Sequence, residues 1–215
     1  AAESARAVAW RVLRPTAVAA TTLHVVTRDD GTVLAGGDVT KSEVYEVELP
    51  PSPVPIQAIR LEVLPDEGLP DHGPGLCTYE GPKGDFFLSE FEVRAGDAML
   101  SFAGATASFE GQAFAGGRTS VAATIDGEMS SGWTTNGAQG SPQAAVYRLA
   151  EPVPAGATLA VTMRFERHYA CALGCFRLAV ADVADAEARG HTAAEEAALV
   201  KPAATRTAME RELVL

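Results

Sequence analysis

Two short runs in this sequence gather oxygen-bearing side chains at spacings that could serve chemistry. The first is Ala122-Ala123-Thr124-Ile125-Asp126-Gly127-Glu128-Met129-Ser130-Ser131-Gly132-Trp133. Small residues lead into an Asp-Gly turn, and Glu128, Ser130 and Ser131 follow before Trp133. Such a loop can aim a carboxylate, backbone carbonyls and hydroxyls at one hard cation, as Ca²⁺ requires with its roughly six to eight oxygen ligands. The same residues also read as a plain Asp-Gly turn beside a buried Trp. The second run is Leu88-Ser89-Glu90-Phe91-Glu92-Val93. Strand parity puts Glu90 on the face of its apolar neighbour Leu88, where a buried carboxylate is costly without a partner. A cation would meet that need, and so would a basic side chain such as Arg177.

Motifs for nucleophilic or metal-dependent catalysis are missing. There is no G-x-S-x-G, no H-E-x-x-H, no phosphate loop ending in Lys-Ser/Thr and no G-x-G-x-x-G opening a helix. His24, His72, His168 and His191 are scattered. A pair of acids could still meet from distant positions, so a glycosidase or polysaccharide lyase stays as a minor alternative. The three cysteines, Cys77, Cys171 and Cys175, make an odd number. They read as small buried hydrophobes or as one bridge involving Cys77, with a metal or catalytic role a lesser option. A direct Cys171–Cys175 bridge is geometrically poor in an extended strand, because four residues span about 13 Å.

The elements that must position these residues are short strands. Val44–Leu49 and Ile56–Leu64 alternate in polarity, with Ile59, Leu61 and Val63 on one face and Arg60 and Glu62 on the other. Asp29-Asp30-Gly31 between β-prone runs predicts a hairpin. Further strands are expected at Phe86–Val93, Met99–Phe102, Ser120–Ile125, Ala144–Leu149, Thr158–Phe165 and Phe176–Val180. About nine short strands without a βαβ rhythm predict an all-β fold, an antiparallel β-sandwich of jelly-roll type. The Gly- and Pro-rich stretch from Pro65 to Asp85 is longer than a usual connection, and such ordered loops are often functional.

After Asp182 the composition turns to Ala, Glu and Arg. Thr192 with Glu195 three positions on predicts a capping box opening a short helix, and Pro202 separates it from a second helix over Ala203–Leu213. The expected organisation is a linker or strand over 1–15, a β-sandwich over 16–182 and a helical linker tail over 183–215. With 17 basic against 28 acidic residues the formal net charge is −11. That balance argues against a nucleic-acid partner, which needs clustered Lys and Arg. No apolar run reaches the length of a membrane span. The start, Ala1-Ala2-Glu3-Ser4, carries no targeting signal and reads as the edge of an excised or processed piece.

The run around Ala123, Asp126, Gly127 and Trp133 resembles the A-x-x-D-G…W hallmark of discoidin-type (galactose-binding-like) β-sandwich domains. Leu88-Ser89-Glu90-Phe91-Glu92-Val93 resembles the L-x-E-x-E-V signature that closes those domains. Here the Glu strand precedes the Asp loop, so the resemblance implies a circular permutation. A wider resemblance runs through Trp10, the stretches 30–37, 59–64, 69–75, 87–93, 125–127 and 132–133, Leu173–Leu178 and the tail. It is to a segment of large planctomycete surface proteins that also carry a c-type cytochrome module. It implies an exported module, at the cell surface or in the periplasm, inside a larger protein. No C-x-x-C-H occurs, so haem is not expected on this piece. Cysteines at 77 and 175 where relatives have other residues imply a Cys77–Cys175 disulfide.

The discoidin-like resemblance also places the Glu strand beside the Asp loop. It therefore implies one structural Ca²⁺ site built from Glu90, Asp126, Glu128, Ser131 and the backbone of Ala123. The expected function is a non-catalytic carbohydrate-binding module for a polysaccharide or oligosaccharide, with neighbouring domains of the parent chain as its other partners. Sugar sites combine an aromatic platform with hydrogen-bonding side chains. The candidates are Tyr79, Trp133 and Tyr169, with Asn136, Gln139, Arg167 and His168 as polar partners. A spacer or protein-interaction domain without a sugar ligand is the alternative.

Overall fold

The computed structural model describes residues 7–113 and 119–214. Two antiparallel sheets pack face to face. One contains β3 (His24–Thr27), β4 (Val33–Gly36), β12 (Cys175–Ala181), β6 (Ile56–Val63), β10 (Gln143–Val153) and β9 (Phe102–Ala107) in that spatial order, with β1 (Arg11–Val12) also paired to β12. The other runs β2 (Ala17–Ala20), β5 (Ser42–Leu49), β11 (Leu159–Glu166), β7 (Glu90–Ala95) and β8 (Ala98–Met99). The chain is mostly β, as its patterning predicts.

Alternation in β5 turns Tyr45, Val47 and Leu49 inward, and in β6 it turns Ile59, Leu61 and Val63 inward. Aromatic contacts fasten the sheets. Phe91 stacks on Tyr147 with centroids 3.9 Å apart, and Tyr45 meets Phe165 edge-on at 5.1 Å. The β3–β4 hairpin turns at the expected Asp-Gly, where Gly31 takes φ +83° and Asp30 accepts from the Thr32 N–H.

Two expectations need correction. Ser120–Ile125 is not a strand: Val121–Thr124 form a 3₁₀ turn, capped by the Ser120 hydroxyl accepting from the Ala122 N–H. The local side-chain bonds, including Thr124 Oγ1 to the Val121 carbonyl at 2.7 Å, compete there with strand pairing. The outward face of β6 is also not solvated, because Arg60 and Glu62 are both buried. Alternation assigns a face, but it does not say what covers that face.

The cover is the tail. The Thr192–Glu195 capping box forms and opens α1 (Ala193–Val200), and a second capping box at Thr207 and Glu210 opens α2 (Ala208–Glu212). α1 lies against the outer face of the larger sheet, where buried Glu196 receives Arg60 Nη1 at 2.6 Å and the Val8 N–H at 2.9 Å. Glu62 sits between Arg60 Nε at 3.2 Å and Arg177 Nη2 at 2.7 Å, and also accepts from the Ala193 N–H. Trp10 roofs the cluster, with the Arg60 guanidinium 5.5 Å from its ring centroid. The first part of the tail thus packs as an outer layer on the larger sheet.

Candidate functional site

Three long connections leave the sandwich at one end: 64–89 between β6 and β7, 108–142 between β9 and β10, and 167–174 between β11 and β12. The registers Gln143↔Val63, Phe176↔Val63 and Arg164↔Glu90 put their roots side by side. Isolated bridges Gly75↔Leu173, Leu88↔Trp133 and Thr119↔Gly132 then lace the connections together. The lacing demands glycine: a Cβ on Gly75 would lie 2.0 Å from the Asp85 carbonyl oxygen, and one on Gly132 2.2 Å from that of Leu88. Beneath them the buried Asp85 carboxylate accepts from Thr134 Oγ1 at 2.6 Å, tying the first connection to the second. Burial pushes the Asp85 carboxyl up to about 7, against the opposing pull of Thr134 and the Phe86 N–H.

The five predicted cation ligands come together at this end. Ser131 Oγ lies 3.0 Å from both Asp126 carboxylate oxygens, 3.0 Å from the Glu128 carbonyl and 3.5 Å from the Ala123 carbonyl. Glu128 contributes its backbone, while its side chain points to solvent. One hydroxyl proton thus faces four acceptor oxygens. Glu90 is only 4% exposed and its Oε1 has no hydrogen-bond partner. Its carboxyl is raised chiefly by burial and then by the Asp126 charge, with the Gly127 and Glu128 N–H groups working the other way. Arg177, the alternative partner for Glu90, is instead engaged by Glu62. Asp126 also caps its own turn, accepting from the Glu128 N–H at 2.9 Å. Among the described residues no three His, Cys, Asp or Glu side chains cluster for a metal, so carbonyls and a hydroxyl make up most of this oxygen set.

The aromatic candidates separate. Trp133 is fully buried, packed edge-on against Phe86 at 5.3 Å with its Nε1–H donating to the Phe109 carbonyl at 2.8 Å. Tyr169 is buried too. Both belong to the core, since a sugar cannot stack on a ring that solvent does not reach. Tyr79 is 75% exposed, next in sequence to Glu80, which pairs with Lys41 at 3.2 Å. His168 is exposed on the 167–174 connection. Arg167 stacks over Phe87 at 4.1 Å and donates to the Ser130 carbonyl, bracing the Asp126 loop. Asn136 Nδ2 donates to the Gln112 carbonyl and its Oδ1 accepts from Gln139, so both serve their own loop.

Patterning gave no sign of an open cleft of about 310 Å³ beside the oxygen set, lined by Glu90, Glu92, Met99, Ser101, Phe102 and Ile125. Its walls come from three separate segments, and no local spacing marks them. The expected Cys77–Cys175 bridge is not present in this structure, where all three cysteines are buried free thiols. Cys175 instead lies in β12 opposite Leu34, with the 74–77 segment fixing Cys77 elsewhere.

No protein-family model matches the chain, and no curated protein matches it. Among solved structures it resembles the catalytic domain of a GH87 alpha-1,3-glucanase in complex with nigerose, at 11% identity and a TM-score of 0.36, over 83% of this chain. A structure of that domain with tetrasaccharides gives 12% identity and a TM-score of 0.34 over the same share. This chain spans 29% of the length of either. The expectation that the chain is not an enzyme gains no support from these comparisons, in which each similar structure is itself described as a catalytic domain. At these TM-scores the likeness assigns neither a fold nor an active site to this chain.

Proposed function

We propose that this chain is a discoidin-like, carbohydrate-binding β-sandwich module whose loop end is pinned by a structural Ca²⁺. The observation that carries the reading is the oxygen set around Ser131. Carbonyls of Ala123 and Glu128, the Asp126 carboxylate and the Ser131 hydroxyl converge beside a buried Glu90 oxygen that lacks a partner. Hard oxygen donors of mixed type, with two carboxylates for charge balance, suit Ca²⁺. A cation would relieve both the crowding of acceptors on one proton and the mutual repulsion of Glu90 and Asp126. The sugar would lie on the same end of the sandwich, with Tyr79 as its exposed platform and His168 and the Lys41–Glu80 pair as hydrogen-bonding neighbours. The sequence resemblance supports a setting within a larger exported protein.

Titration calorimetry with Ca²⁺ and melting in millimolar Ca²⁺ against chelator test the cation. Binding and a raised melting temperature are expected in the parent chain and lost in Asp126→Asn and Glu90→Gln. Affinity electrophoresis in soluble polysaccharides tests the sugar. Retardation that Tyr79→Ala abolishes without a change in melting temperature is expected. Equal mobility of parent and variant in every glycan would leave a spacer domain as the better reading.

A further inference from the structure

The register of the loop end carries information about the cysteines that their sequence spacing hides. The Gly75↔Leu173 bridge is antiparallel, and Gly174 N–H donates to the Pro74 carbonyl at 2.7 Å while Leu76 N–H donates to the Ala172 carbonyl at 2.9 Å. These bonds pair 74 with 174 and 76 with 172 around the isolated 75–173 bridge, and the same register continued one step beyond it sets Cys77 opposite Cys171. The backbone groups of these two residues are engaged by the 84–87 segment and not by each other. Cys77 N–H donates to the Asp85 carbonyl and its carbonyl accepts from Gly84, while the Cys171 carbonyl accepts from Phe87. In that continued register they would form the non-hydrogen-bonded kind of antiparallel pair, in which Cα atoms lie roughly 4.5 Å apart and side chains share one face. Such a separation falls within the range a disulfide spans, about 4.4–6.8 Å. Cys175 lies four residues further along, about 13 Å by strand rise, and cannot reach either thiol without backbone movement.

We infer that Cys77 and Cys171 form a cross-strand disulfide site that staples the 64–89 connection to the 167–174 connection when a small disulfide is supplied. One cysteine thiolate attacks a low-molecular-weight disulfide such as oxidised glutathione, forming a mixed disulfide and releasing one small thiol. The second thiolate then attacks the protein-bound sulfur of that mixed disulfide and releases the other small thiol. The small disulfide gains two electrons, and the two cysteine protons end on the released thiols. Each Sγ now rests against a carbonyl, Cys77 on Tyr79 at 3.9 Å and Cys171 on Phe87 at 3.7 Å. Rotation about χ1 is what turns them toward each other. Burial holds the Cys77 thiol up at about 11 and that of Cys171 at about 12, so the closed loop end resists exchange. The bond forms during folding or when the connections open.

The test uses the full chain refolded in a glutathione redox buffer, alkylated under denaturing conditions and mapped without reduction. A Cys77–Cys171 linked peptide with Cys175 alkylated is expected, with a melting temperature higher than that of the reduced chain by roughly 5–15 °C, because the bond closes a loop of about 100 residues. Cys175→Ser should keep both results and Cys171→Ser should lose both. A link involving Cys175, glutathione adducts without a protein disulfide, or three alkylated cysteines would each overturn the assignment.

Discussion

Replacing Glu196 with alanine asks whether the tail is part of the folded unit. The substitution removes the acceptor for Arg60 Nη1 at 2.6 Å and for the Val8 N–H at 2.9 Å, both in a site closed to solvent. Arg60 keeps Glu62 at 3.2 Å, but that carboxylate is already shared with Arg177 and the Ala193 N–H. Breaking one side of a buried pair typically costs about 3–5 kcal/mol, because a charge is left buried and uncompensated. For a chain of this size that is a fall in melting temperature of roughly 6–20 °C. Urea unfolding gives the free energy, and limited proteolysis reports whether the segment after Asp182 becomes cleavable while the sandwich persists. Pairing Arg60→Met with Glu196→Leu should restore most of the loss, since apolar replacement of a whole buried pair is often neutral. A Glu196→Ala chain that loses less than about 1 kcal/mol and keeps its tail protected would refute the docked-layer account.

Asp85, pushed up to about 7 by burial, binds its proton more tightly folded than unfolded. Its contribution is therefore full below about pH 4 and declines as pH rises to about 7, by about 4 kcal/mol at most. Asp85→Asn should flatten that part of the stability profile, and parallel profiles for the two chains would count against it. Gly132→Ala has no room beside the Leu88 carbonyl, so it should break the Leu88↔Trp133 bridge and cost roughly 3 kcal/mol or more in denaturant unfolding. Thr192→Ala removes the acceptor for the Glu195 N–H and should cost about 1 kcal/mol, read by chemical denaturation. Serine at 192 should recover it.

Much of the sandwich could be read in advance because its strands are amphipathic in the simplest way. Tyr45, Val47 and Leu49 alternate with Val44, Glu46 and Glu48, and the hairpin at Gly31 has the turn residue its backbone requires. Thr192 and Glu195 announced their helix for the same local reason. The failures arise where the answer is not local. Arg60 and Glu62 read as a solvated face because nothing within β6 shows that Glu196, far along the chain, will cover them. Trp133 and Tyr79 are both aromatics in loops, and only the lacing of three connections buries one and exposes the other. The oxygen set around Ser131 was legible because most of its members lie within one turn-forming run. The register of Gly75 against Leu173 was not, since it depends on how the 167–174 connection lies against 74–77.

The clamp on Arg60 also sets how the molecule carries load. Glu196 holds Val8, near one end of the described chain, and Arg60 in the middle of β6, while it sits itself in a helix near the other end. Tension applied between the segment before Val8 and the segment after α1 therefore meets this short polar link before it reaches most of the strands that lie between them in sequence. Because Glu196 is clamped to Arg60 as well, part of that load enters the larger sheet through β6. The tail and the first described residues are thus tied to each other and to the sheet at one buried point.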